Sequence, residues 1–147
     1  MKRNYVLRVS LKPLIPFIMI FGLYVQFHGD FGPGGGFQAG VIFAASIILY
    51  TLVFGLNASQ RVFSRRGLER LMASGVLLYG LVGVLTMALG GNFLEYNRLA
   101  ANPKDGQHYG ILLIELGVGF TVAAVTMGLF FLFTNRARTR EEERQLR

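Results

Sequence analysis

Four long stretches of this chain carry almost no charge, and that pattern leaves few folds open. No Asp, Glu, Lys or Arg falls between Lys12 and Asp30, between Asp30 and Arg61, or between Arg70 and Glu95. From Gly106 to Thr134 the only charged residue is Glu115. A charge at the centre of a bilayer costs roughly 2.5 to 3.5 kcal/mol on insertion scales. Runs cleared of charge, in a 147-residue chain with mean hydropathy +0.46, therefore predict membrane spans and not a soluble core.

The expected fold is an all-α integral membrane protein with four transmembrane helices, near 13–27, 37–56, 71–90 and 110–133. Each approaches the roughly 20 residues that cross about 30 Å of hydrocarbon at 1.5 Å per residue. The first is short, so its start is expected to reach back through Leu11, with Lys12 snorkelling and Pro13 and Pro16 in its first turns. Residues 1–134 then form one transmembrane domain and 135–147 a charged cytoplasmic tail.

Charge at the ends sets the expected orientation. Thirteen of the fifteen basic residues lie in the N-terminal segment, the middle loop and the tail; only Arg98 and Lys104 lie in the opposite loops. The positive-inside bias puts both termini in the cytoplasm. A cleavable signal peptide is disfavoured, because no A-x-A-like site follows the first apolar run. "NAS" at Asn57 matches a glycosylation acceptor but falls in the cytoplasmic loop, where the match is coincidental. The tail "NRARTREEERQLR" reads as a solvated helix, with Glu143 and Arg147 paired at i,i+4. In the longer outer loop, Phe93, Leu94, Tyr96 and Leu99 suit a short interfacial turn, and "NPKDG" a turn before the fourth span.

Other chemistries find little support. Without cysteine there is no disulfide or thiolate metal site, and two histidines, His28 and His108, do not suggest a histidine-rich one. No nucleophile–base motif or cofactor fingerprint is present, so we expect neither an enzyme nor a bound cofactor or metal. The net charge of +7 flanks the apolar runs, which fits membrane topology and not nucleic acid.

The segment "HGDFGPGGGFQAG", from His28 to Gly40, is the most unusual stretch. A phosphate loop would follow a strand and carry a lysine after its glycines; neither condition holds. Gly36, Gly40 and Ala44 recur at i, i+4 and i+8, forming a smooth stripe at the start of the second span. Such stripes let membrane helices approach closely where lipid supplies little drive for association. Pro33 stiffens the entry, Gly34, Gly35 and Gly36 permit positive φ, and Phe37 follows them. Packing against neighbouring proteins is the preferred reading, so leucine at Gly36 or Gly40 is expected to disrupt association. A direct role toward ions is the alternative.

Glu115 is the acid inside a span, about one turn from its expected outer end. Desolvation disfavours its charged form and makes proton exchange feasible, so Glu115 is a candidate ion-path residue. A pairing with His108, Arg98 or a partner subunit is the structural alternative. His28 and Asp30, at the outer end of the first span, are further ion-path candidates; polar residues meeting water is the plainer account. One acidic site is too little for a self-contained transporter.

"HGDFGPGGGFQAGVIFAASIILY" resembles the signature region of the B subunit of Mrp-type monovalent cation/proton antiporters, the MnhB family. "YGILLIELGVGFTVAAV" resembles that family's fourth-span segment, with Glu115 where Asp is expected in many relatives. The resemblance runs from the first span through the fourth. It implies a small multi-pass subunit in a bacterial inner membrane, surrounded by lipid and assembled with other Mrp antiporter subunits. The complex would exchange Na+ or another monovalent cation for H+, and this chain would help assembly and line part of the cation route. A non-transporting scaffold of a complex I-like or membrane-bound hydrogenase-like assembly remains the other reading.

Overall fold

The computed structural model describes residues 2–29 and 32–145, with side chains from residue 8 onward. The described residues form helices joined by short loops: α1 (Lys2–Phe27), α2 (Gly36–Phe54), α3 (Leu56–Val62), α4 (Arg65–Ala88) and α5 (Pro103–Gln145), with a 3-10 turn at Tyr96–Leu99. Four of them, Arg8–Phe27 within α1, then α2, α4 and α5, are long and apolar enough to cross a membrane. Helix is the required form, since lipid offers no partner to an unpaired backbone N–H or C=O.

α5 is the centre of the bundle. It packs against α2 on one side and α4 on the other, and α1 lies mainly on α2. Ala44, Ile47, Leu68, Ala124, Met127 and Phe131 form the buried core between α2, α4 and α5. Small residues let the backbones close. A Cβ added at Gly40 would stand 2.8 Å from the Gly119 carbonyl oxygen, and one at Gly117 2.8 Å from that of Gly75. The outward faces are apolar: Phe17 is 69% and Leu77 70% exposed. In water such faces would be aggregation-prone; in a bilayer they are the solvated surface.

Several sequence expectations change here. Gly36 and Gly40 meet α5 of the same chain, so the small-residue stripe serves packing inside this fold. Pro13 and Pro16 lie in the interior of α1, which begins at Lys2. Proline removes a donor wherever it sits, and helices in lipid tolerate it when neighbours support them. Here the Arg8 Nε–H donates to the Val53 carbonyl at 3.2 Å, tying the early part of α1 to the end of α2.

"NPKDG" is not a turn before α5 but its first turn. Pro103 takes the opening position, and Asn102 Oδ1 accepts from the Lys104 N–H at 3.2 Å. Span and tail are one continuous helix of 43 residues, about 65 Å long, and so about twice the hydrocarbon thickness. In the tail, Arg138 pairs with Glu142 at 3.0 Å; Arg147 lies outside the described residues.

At the basic end, α3 was not anticipated. It is held by a buried bond from Thr51 Oγ1 to Ser59 Oγ at 2.8 Å, and Arg138 donates to Asn57 Oδ1 at 3.3 Å. At the other end, Thr86 Oγ1 donates to the Gly83 carbonyl at 2.8 Å and accepts from the Leu94 N–H at 3.0 Å. This pins the long loop onto α4. The Phe93 ring covers Gly83 and the Tyr96 ring covers Gly110, so the aromatic residues of this loop pack on the bundle itself.

Candidate functional site

The loop between α1 and α2 folds back over the last turn of α1. The Gly32 N–H donates to the His28 carbonyl at 3.1 Å, and the Gly35 N–H to the Val25 carbonyl at 3.2 Å. Gly35 sits at φ 125°, a conformation that side-chain-bearing L residues rarely adopt. A Cβ at Gly34 would stand 2.6 Å from the Val25 oxygen, so this fold-back also needs glycine there.

The bare surface of this loop receives Glu115. Both carboxylate oxygens lie 2.6 Å from the point a Gly29 Cβ would occupy, and Oε1 lies 3.0 Å from that of Gly35. A Cβ on Gly36 would overlap the Glu115 backbone carbonyl. The loop and the start of α2 therefore fit the acid closely, and side chains at these three positions would evict it. Glu115 lies about three turns into α5, because α5 starts at Pro103, ahead of the span start expected near Gly110. It is half-buried.

The other sequence candidates divide. His28 is half-buried at the start of the loop, its ring stacked on Tyr24 at 5.1 Å and its Nε2 3.2 Å from the point a Gly32 Cβ would occupy. His28, His108 and Glu115 are each engaged within the fold. Arg98, a possible partner for Glu115, instead lies 3.8 Å from Glu95. Asp30 lies outside the described residues. Pro33 is exposed and Phe37 is 61% exposed, while Ala44 is fully buried in the core below.

A family model described as a domain related to the MnhB subunit of Na+/H+ antiporters matches residues 6–128. The chain belongs to the MnhB family. Over 131 residues this MnhB-family chain is 35% identical to a Staphylococcus aureus (strain Newman) protein provisionally named antiporter subunit mnhB2, covering 85% of this chain and 91% of that one. Over 129 residues it is 36% identical to an uncharacterized protein of Methanocaldococcus jannaschii, covering 83% of this chain. The chain spans about half of that relative's length, 49%. The family match takes in the glycine loop and Glu115 and stops before the charged extension of α5. With four span-capable helices, this MnhB-family chain is a multi-pass membrane protein.

Sequence reasoning missed Gln26. It is only 5% exposed, and its Oε1 lies 2.8 Å from the point a Gly119 Cβ would occupy, one turn of α5 beyond Glu115. Its Nε2 is buried with no hydrogen-bond partner among the described residues. The available signal was an amide within an otherwise apolar run, which is easily passed over when charges are used to mark spans. A buried donor without a partner costs about 1 to 3 kcal/mol. Gln26→Met is therefore expected to leave the thermal stability of the detergent-solubilised chain unchanged or to raise it. A loss above about 1 kcal/mol in a thermal-shift assay would mean that the amide is bonded in the native protein.

Proposed function

We propose that this MnhB-family chain is a membrane subunit of a multisubunit Na+/H+ antiporter, in which it supports assembly and contributes Glu115 to the cation or proton route. Both termini face the cytoplasm of a bacterial cell, with the protein in its inner membrane and the glycine loop on the outer side. The observation that carries this reading is the family match across residues 6–128. The contact between Glu115 and the glycine loop supports the more specific role, because a half-buried acid held against backbone within an apolar helix is poorly explained by solubility alone. His28 and, from its place in the sequence, Asp30 are further candidates for the same route.

Vesicles from cells that lack only this chain are expected to lose Na+-dependent proton exchange, and re-expression to restore it. Liposomes containing the chain alone are expected to show none, since one acidic station does not make a route. Exchange by the isolated chain would overturn the subunit reading, and full exchange by the complex without it would overturn any part in transport.

A further inference from the structure

A cleft of about 650 Å³ opens between α4 and α5 at the basic end of the bundle. Its chemistry is graded along the helices. Gln60, Ser64, Arg65 and Asn135 line the end nearest α3, whereas Leu68, Met72, Val125 and Leu129 line the part that runs back along the spans. Gly128 opens its floor: a Cβ there would already lie 3.2 Å from Met72 Cε. The α5 lip stays apolar and outward, with Leu129 51% and Leu132 59% exposed.

We infer that this cleft holds one anionic phospholipid, with its phosphate at the polar end and an acyl chain against the apolar wall. Charge complementarity favours this occupant. Arg65 lines the mouth; Arg61 lies in the last turn of α3 and Arg66 in the first turn of α4, and Arg138 of α5 reaches α3 by donating to Asn57 Oδ1 at 3.3 Å. Glu69 is the one acid lining the cleft, and it is already paired with Arg65 through Nε at 3.0 Å. The two terminal nitrogens of Arg65 have no hydrogen bond among the described residues and are available to phosphate oxygens. Basic pockets between membrane helices at such an end are suited to acidic headgroups. The apolar wall distinguishes a lipid from a free anion.

The test uses the chain isolated with its native partners and reconstituted with photoactivatable phosphatidylglycerol or photoactivatable phosphatidylcholine. Phosphatidylglycerol is expected to label α4 and α5 at the cleft preferentially. Arg65→Gln is expected to lower that labelling roughly fivefold. Gly128→Leu, which fills the floor, is expected to abolish labelling by both lipids at this position. Equal labelling by the two lipids would overturn the proposal, as would unchanged labelling in Gly128→Leu or a helix of another subunit seated in the cleft. Should Gly128→Leu fail to assemble, the exposed Arg65→Gln variant decides alone: labelling that does not fall sinks the proposal.

Discussion

Leucine in place of Gly36 is expected to prevent the chain from accumulating in its folded form. The substitution drives side-chain atoms into the Glu115 backbone carbonyl, and backbone cannot swing aside as a flexible side-chain end can. Overpacking a close contact costs typically 1 to 3 kcal/mol, and a rigid carbonyl puts this site at or above the upper end, about 3 kcal/mol. Because α2 meets α5 within the same chain, the defect precedes assembly. Protease resistance of the chain expressed without other subunits should already be lost. A chain that stays protease-resistant alone and fails only to recruit partners would show that Gly36 serves an external contact instead. Gly80→Ala is the matched control: its Cβ meets nothing within 4 Å, and it gains about 1 kcal/mol of helix propensity. Resistance should be kept or improved there.

Glu115→Gln is expected to cut Na+-dependent proton exchange in vesicles by roughly tenfold or more, a barrier change of about 1.4 kcal/mol, with normal recovery of the complex. Glutamine keeps the shape that fits between Gly29 and Gly35 and keeps the backbone contact with Gly36, while removing the titratable charge. Glu115→Asp retains that charge but withdraws it by one methylene, so it is expected to keep a substantial part of the exchange. Normal transport in the glutamine variant would remove Glu115 from the route and leave the scaffold role. Failure of the glutamine complex to assemble would give the carboxylate a structural role as well.

Much of the architecture was legible because the bilayer imposes a severe rule on sequence. Charges are excluded from the hydrocarbon, so the gaps between them mark four spans, and the structure has four helices able to fill them. The special character of residues 28–40 was equally legible, since a proline among clustered glycines has no use inside a helix. Helix ends were less so. Pro103 opens α5 and Pro13 and Pro16 lie within α1, although the same residue type was read as marking a boundary in each case.

The sequence by itself determined how often this chain can cross a membrane, where it bends back, and that one acid is retained inside a span. Those properties depend on transfer free energy and backbone sterics, which act residue by residue. Only the tertiary structure decided what the glycines are for. A stripe of small residues specifies that something comes close, without specifying what; the packing of α2 on α5 makes Glu115 the neighbour of Gly36 and brings its carboxylate to Gly29 and Gly35. The burial of Gln26 beside Gly119 was hidden for the same reason. An amide is inexpensive at a water-facing helix end and costly without a partner inside a bundle, and which it meets depends on how the helices are rotated against one another.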